Sequence, residues 1–482
     1  MSRSSYYLGF TTLAAETSVE ELPVRGTVPA WLTGTLLRTG PAKFEVGDKQ
    51  YHHWFDGLAM LHRFAFAAGR VSYANRYLRS RAYEEAMATG KISRGEYATD
   101  PCRTLFQRVA AWFSPKLGDN GCVNVADLAD AVVALTETRL PVRFDPDTLA
   151  TLGSGEYDRD IKGPVSTAHP HFDHARSRHF NYVLDFGRRS KYHFFGIDQE
   201  TGRQSVVATI PVERPAYVHS FGMTERYLVL AEFPLVVNPL KRLFSGQPFI
   251  RNYRWEPDRG VRFHVVEKEG GRVIRTARAA AFFAFHHVNA FEEGDDVVVD
   301  IVAYPDPAVI DQLYLDRLRS AEPVTATGQL TRVRIGAGEN VTSERLSEVP
   351  IELPGFDYRR RAGRPYRYVY GVGNEVPGNF IDNLVKLDLE GGTVSSWHEE
   401  GCCPGEPVFV AAPGAGNEDD GVTLSVVLDT RKAASFLLIL DASTFRELAR
   451  ADAPHHIPFG VHGNYLAEAG RSAPLQHADV VR

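Results

Sequence analysis

Along most of the chain, apolar residues come in short runs rich in Val, Ile, Leu, Phe and Tyr, broken by Gly, Asp, Asn, Pro and Ser. The stretch NYVLDFGRRSKYHFFGIDQETGRQSVVATIPV, residues 181–212, holds three such runs divided by GRRS and DQETG. RYLVLAEFPLVV, DDVVVDIVAY, QLTRVRIG, YRYVYGVG, NLVKLDLEGGTVSSW, EPVFVAAP, VTLSVVLD and ASFLLILDA continue the pattern. Turn signals recur roughly every 8–12 residues, which predicts strands joined by tight turns in an all-β sandwich, barrel or propeller. Helical spacing is confined to AYEEAMATG (82–90) and AVIDQLYLDRLRSA (308–321). No Gly/Ser-rich linker divides the chain, so residues 1–482 are expected to form one domain. A sandwich or barrel rarely needs so many strands, whereas a seven-bladed β-propeller absorbs about 28 and leaves only short edges. No WD-type repeat is visible, so the blades are expected to be irregular; two packed β-domains are the alternative.

Composition narrows the function classes. The chain is 44% hydrophobic and 24% charged, ordinary for a folded soluble protein. Its net charge of −6 gives no basic footprint for nucleic acid. Cys102, Cys122, Cys402 and Cys403 form no CxxC motif and read as reduced cytosolic thiols. The N-terminus lacks the apolar core of a signal peptide, and no window approaches ~18 uninterrupted apolar residues. A cytoplasmic chain is therefore expected. The 28 Phe and 20 Tyr suit either a β core or an apolar tunnel.

Histidine placement carries the chemistry. STAHPHFD holds His169 and His171, AYVHSFGMT holds His219, FAFHHVNAF holds His286 and His287, and IPFGVHGNYL holds His462. A lone histidine in an apolar strand is more often satisfied by a backbone carbonyl. These four contexts, however, lie in separate strand–turn units, which excludes a local finger or an HExxH helix. A propeller, with each blade aiming one side chain at a common axis, accommodates them. A cage of imidazoles suits Zn, Cu, Ni or Fe. Ligating imidazoles usually donate their other N–H to a carboxylate. Glu137 in VALTETRLP, Glu352 in VPIELPGF and Glu406 in CPGEPVFV stand among apolar or proline residues and are the candidate partners.

In order along the chain, LLRTGPAKFEVG, HHWFDGLAMLHRF, TETRLPVRFDPDTLATLG, TAHPHFD, YVHSFGMTERYLVL, FHHVNAFEEGDDVVVD, GEPVFV and IPFGVHGNY resemble the motifs of the carotenoid cleavage oxygenase family, from about residue 6 to residue 466. The resemblance implies a seven-bladed propeller with a cap of loops and short helices over a metal on the axis. It implies one Fe(II) held by His169, His219, His286 and His462, with Glu137, Glu352 and Glu406 behind them. Thr136 matches a family threonine close to an open iron position. Tyr97, in RGEYATDPC, matches an aromatic position lining the substrate tunnel, a packed loop tyrosine being the alternative. The family's FDGDG core reads FDGLA here, Phe55 to Ala59; remote in sequence from the ligand motifs, it is expected to alter a turn or the cap rather than the chemistry.

The implied reaction is cleavage of a polyene C=C bond by O2 into two carbonyl products, retinal among them if the cut is at 15,15′. RYLRSRAYEEAMATGKI, DPCRTLFQRV and NGCVNV resemble the animal-type branch, in which the DPC segment containing Cys102 lies near the membrane. Residues 231–250, AEFPLVVNPLKRLFSGQPFI, mix apolar residues with Lys241 and Arg242, the composition of a surface-inserting patch; a buried connection between blades is the alternative. Peripheral membrane association and a carotenoid or apocarotenoid substrate are thus expected. The rival readings are a stilbene- or lignostilbene-cleaving enzyme of the same fold, a retinoid isomerase-like enzyme, and a propeller that only binds partners.

Overall fold

The computed structural model describes residues 3–100, 117–129, 131–158 and 160–467. Cys102 lies outside the described residues. Seven sheets of four to six strands follow one another along the chain as the blades of a β-propeller. Most are simple meanders, because short turns join consecutive antiparallel strands. The second blade, for example, is Asn124–Leu128, Ala131–Leu135, Val142–Phe144 and Thr151–Ser154 in order. Two clasps close the ring. The C-terminal strand Gly463–Ala467 pairs with Gly34–Lys43 in the first blade, and the N-terminal strand Val24–Gly26 pairs with Glu447–Asp452 in the seventh.

Blades pack face to face, so their central strands are apolar on both sides rather than alternating. Val297, Val298 and Val299 of strand Asp296–Tyr304 are all fully buried. Asp300 in the same strand is also buried. It is satisfied by two Arg332 nitrogens at 2.9 Å and by the Tyr366 hydroxyl at 2.8 Å, which ties the fifth blade to the sixth.

Of the two expected helices, the first is Arg81–Thr89, capped by Ser80 and ended by Gly90 at φ 63°. The second does not form as one piece. Residues 308–321 give two short turns, Ala308–Gln312 and Leu315–Leu318. Backbone pairing with residues 52–54 interrupts them: Leu315 N–H donates to His52 O at 2.8 Å and Trp54 N–H to Leu313 O at 3.1 Å.

The FDGLA departure falls in a tightly built turn. Asp56 accepts from the Thr99 hydroxyl at 2.6 Å, Ala98 N–H at 3.0 Å and His53 N–H at 3.2 Å. A Cβ on Gly57 would meet Pro41 at 2.8 Å and Phe44 at 2.9 Å, so only glycine fits. This turn is not remote in space from the chemistry, since it carries Trp54 and Phe55 into the wall of the central cavity.

The 231–250 stretch divides in two. Residues 231–237 are buried, and Leu235–Val237 pairs with Tyr253–Trp255. Only the second half, with helix Pro239–Ser245, reaches the surface.

Candidate metal centre

Each blade sends one polar side chain of the predicted set toward the axis. His462 immediately precedes the first blade's inner strand Gly463–Ala467. Glu137 follows Ala131–Leu135 of the second, and His169 sits between Val165–Ser166 and His171–Asp173 of the third. His219 precedes Gly222–Met223 of the fourth, and His286 lies within Phe283–Glu293 of the fifth. Glu352 opens Glu352–Gly355 of the sixth, and Glu406 lies between Cys402–Pro404 and Val408–Ala411 of the seventh. Irregular pairing re-aims several of them. The register slips between Ala284 and His287, and again between Glu352 and Gly355, where Leu353 takes φ 46°.

The four histidines each bring a ring nitrogen to within 4.8 Å of the others. His169 Nε2 and His219 Nε2 are 2.9 Å apart, and His286 Nε2 and His462 Nε2 are 3.1 Å apart. Three imidazoles donate Nδ1–H to a carboxylate at 2.6 Å: His219 to Glu137, His286 to Glu352 and His462 to Glu406. Those bonds fix the tautomers and leave bare lone pairs on the three Nε2 atoms. Between His286 and His462 two lone pairs thus face each other and cannot form a hydrogen bond; a cation between them satisfies both. For metal–nitrogen bonds of about 2.1 Å, two ligands at right angles are about 3.0 Å apart, close to both separations. The donor set thus fits a divalent ion of the imidazole-preferring kind.

Further donors reach each carboxylate, on the oxygen already facing His219 in Glu137 and on the second oxygen in Glu352 and Glu406. Tyr217 Oη donates to Glu137 Oε1 at 2.7 Å and Tyr304 Oη to Glu352 Oε1 at 2.9 Å. Gly463 N–H donates to Glu406 Oε2 at 2.8 Å, with Arg38 Nη1 3.4 Å from the same oxygen. A Cβ on Gly463 would collide with Arg38 at 2.6 Å, so glycine after His462 lets the guanidinium pass. His169 has no carboxylate partner among the described residues; its backbone N–H donates to Thr167 Oγ1 at 3.0 Å.

Burial lowers the pKa of His169 well below the ordinary imidazole range, with the other three clustered imidazoles adding to the effect. Burial also lowers that of His219, and it takes His462 down to about 4 although Glu406 opposes it. These three rings are therefore neutral near pH 7, the form that binds metal. Burial alone would raise Glu352 and Glu406, but the facing imidazoles, His286 and His462, bring both below the usual carboxylate range.

The second histidine of each doublet stands aside. His171 spends both ring nitrogens on Tyr358 Oη at 2.9 Å and Phe221 O at 2.8 Å. His287 Nδ1 contacts Ser220 Oγ at 2.8 Å. Sequence reasoning missed Tyr217, Tyr304 and Arg38. Nothing in strand alternation marks Tyr217, because residues 217–219 lie outside the regular strands.

A cavity of about 700 Å³ opens beside His219 and His286. Trp54, Phe55, Phe285, Leu313, Ile351 and Val461 make its wall mostly apolar. Tyr97 packs behind it, with ring centroids 5.5 Å from Phe55 and 5.7 Å from Tyr217. Thr136 is half-buried between strand Ala131–Leu135 and Glu137, and neither Thr136 nor Tyr97 is in the cavity wall.

Residues 10–467 match the family model described as retinal pigment epithelial membrane protein. The chain is 34% identical to the mitochondrial carotenoid-cleaving dioxygenase of Mustela putorius furo, over 93% of this chain and 95% of that protein. It is 33% identical to the β,β-carotene 15,15′-dioxygenase of Gallus gallus, over 92% and 95% respectively. Among solved structures, a variant of Synechocystis apocarotenoid oxygenase superposes with a TM-score of 0.86 at 28% identity, covering 97% of this chain and all of that one. The cobalt-substituted form of that oxygenase gives 0.86 and 28%, covering 96% and 98%. The chain belongs to the retinal pigment epithelial membrane protein family, which includes the carotenoid oxygenases.

Proposed function

We infer that the chain is a non-haem Fe(II)-dependent dioxygenase that cleaves a C=C bond of a carotenoid or apocarotenoid with O2. One observation carries this reading: a cage of four imidazoles opens onto a mostly apolar cavity of about 700 Å³. Zinc has no redox chemistry, whereas iron(II) held by His169, His219, His286 and His462 would supply the electrons that activate O2. Both oxygen atoms end in the products, R–CH=CH–R′ + O2 giving R–CHO + R′–CHO. Retinal is one such product if the cut is at 15,15′, the position that the name of the Gallus relative gives for that protein.

The chain's own residues do the rest. Glu137, Glu352 and Glu406 hold the imidazoles in one tautomer and orientation. Phe285, with its ring 5.4 Å from that of His219, and Phe55 wall off water beside the reacting bond. The cavity sets which double bond stands next to the cage, so positional choice is a matter of shape. No side chain has to take a proton from the substrate.

Thr136 sits beside Glu137 near this cage. The surface half of the 231–250 stretch, with Leu240 64% exposed next to Lys241, supports peripheral contact with a membrane in the cytoplasm. Among the described residues no helix is long and apolar enough to cross one.

A second reading is stilbene cleavage by the same cage and cavity. Anaerobic loading with Fe(II), then oxygen with β-carotene, an apocarotenal or resveratrol in detergent micelles, tests the choice. Two aldehydes from a carotenoid support the first reading. Cleavage of resveratrol alone transfers the chain to the second, and no cleavage of any with iron bound overturns both.

A further inference from the structure

The three carboxylates behind the imidazoles are not equivalent. Besides its histidine, Glu137 meets the Tyr217 hydroxyl at 2.7 Å and Glu352 the Tyr304 hydroxyl at 2.9 Å. Among the described residues only Glu406 also meets a permanent cation, with Arg38 Nη1 3.4 Å from its Oε2. Resting on the iron reading above, we propose that Arg38 is a charge-balancing residue that holds the caged iron in the divalent state and disfavours the trivalent one.

Arg38 is buried on strand Gly34–Lys43 of the first blade. Its Nη1 donates to Glu406 O and its Nη2 to Val461 O, both at 3.2 Å. Val461 directly precedes His462, and Glu406 accepts from His462 Nδ1 at 2.6 Å. The guanidinium is therefore tied to both sides of one metal-binding histidine without approaching the cage itself. Glycines bring backbone close around it: a Cβ on Gly405 would lie 3.7 Å from Nη2, and one on Gly460 3.9 Å. Burial lowers the Arg38 pKa and Glu406 opposes the shift, but a guanidinium keeps its proton inside a protein.

Charge balance gives this placement its consequence. Imidazoles fixed by an Nδ1–H···carboxylate bond bring no charge of their own to a metal. A divalent ion with three carboxylates leaves one negative charge, which Arg38 cancels. The other polar groups around the cage add nothing. Burial raises the Tyr217 and Tyr304 phenols well above their usual range, so both keep their protons. It holds His171 at about 4 and His287 at about 3, so both are neutral near pH 7.

A buried assembly with no net charge avoids the desolvation penalty of an unpaired ion. Oxidation of the resting iron passes one electron to an outside acceptor, breaks no bond in the protein and leaves one positive charge in excess. With Arg38 replaced by a neutral residue, the trivalent form becomes the balanced one. A unit charge acting through the poorly screened interior shifts such an equilibrium by about tenfold. The divalent state is the one that the proposed reaction with O2 starts from, so Arg38 would protect the resting enzyme in air.

The test is a redox titration of iron-loaded protein without polyene, using mediators of known potential and reading iron(III) by electron paramagnetic resonance. Arg38→Gln keeps an amide donor but no charge. It should move the equilibrium about tenfold toward iron(III), which is about 59 mV for a one-electron couple. Arg38→Lys, which keeps the charge, should stay close to wild type. An unshifted equilibrium in Arg38→Gln, or an equal shift in Arg38→Lys, overturns the proposal, since a residue that only packed against Glu406 would not separate the two. If Arg38→Gln does not fold, Glu406→Gln is compared with Arg38→Gln/Glu406→Gln, which leaves no lone charge buried. Those two differ only in the cation, so the same shift is expected and its absence overturns the proposal. Iron content is measured first on each sample. A wild-type protein that takes up no iron overturns the iron reading itself, whereas full iron with no shift overturns only the role of Arg38.

Discussion

Glu352 and Glu406 stand in the same place behind their histidines, yet replacing each by glutamine should have different consequences. Glu352 Oε2 accepts from His286 Nδ1 at 2.6 Å and Leu353 N–H at 2.7 Å, and its Oε1 accepts only from the Tyr304 hydroxyl at 2.9 Å. In Glu352→Gln the amide oxygen can keep the first two bonds. The new NH2 can donate to Tyr304, whose hydroxyl rotates to accept it. The metal-free protein should then lose no more than about 1 kcal/mol. Glu406 has no such freedom. Its Oε1 accepts from His462 Nδ1 at 2.6 Å, and its Oε2 faces Gly463 N–H at 2.8 Å and Arg38 at 3.4 Å. An NH2 there points at donors, and Arg38, only 4% exposed, loses its counter-charge. Removing one member of a buried ion pair costs about 3–5 kcal/mol. The low end applies, because the Glu406 and Val461 carbonyls, each 3.2 Å away, still face the guanidinium. Both variants should bind Fe(II) about 10–100-fold more weakly. Denaturant midpoints of the metal-free proteins, with anaerobic iron titrations of each, separate the effects. If Glu406→Gln is as stable as Glu352→Gln, or if both bind iron as wild type does, the roles given to these carboxylates are wrong.

Other outcomes follow from the same geometry. Burial, with His455 and Arg38 nearby, holds the His62 pKa down at about 3, so the folded state excludes a proton that the unfolded chain takes up below about 6.5. A depressed folded pKa gives stability present above 6.5 and lost as pH falls toward 3, at most about 1.4 kcal/mol per pH unit from this one group. His62→Gln, which can keep the 2.9 Å contact with Tyr73 Oη, should flatten a pH–stability curve by that one proton, and an unchanged slope refutes it. Ala326→Phe narrows the cavity and should weaken binding of long polyenes about tenfold or more while iron content stays at the wild-type level; unaltered polyene affinity would remove the cavity from substrate binding. Leu240→Glu should lower co-sedimentation with anionic vesicles several-fold if helix Pro239–Ser245 inserts, and equal sedimentation would leave that helix an ordinary surface turn.

The four-histidine cluster was legible because histidine is rare in apolar strands and the contexts fell in separate strand–turn units; the family resemblance chose the first histidine of each doublet. Glu137, Glu352 and Glu406 were legible for the same reason, as charges where burial is costly. Residues that hold the carboxylates were not, because Tyr304 and Arg38 come from other strands and nothing local marks their targets. The 231–250 stretch misled by composition: a strand buried between blades and a surface-inserting helix are both apolar, and Asn238–Pro239, the cap and first residue of the helix, is the local sign of where one segment ends. The 308–321 helix failed for a different reason. Its spacing is helical, but residues 313–315 pair with 52–54, a tertiary contact that no local pattern reports. Phe55 was placed away from the chemistry because sequence distance was taken for spatial distance, which a closed ring of blades makes unreliable.

The central claim is that one residue from each of four blades holds a single iron. Metal analysis of protein loaded anaerobically with Fe(II) and desalted, wild type beside His286→Ala, tests it most directly. Wild type should hold one iron per chain and His286→Ala essentially none, with the β-sheet circular dichroism of both unchanged. A full complement of iron in a folded His286→Ala protein would contradict it.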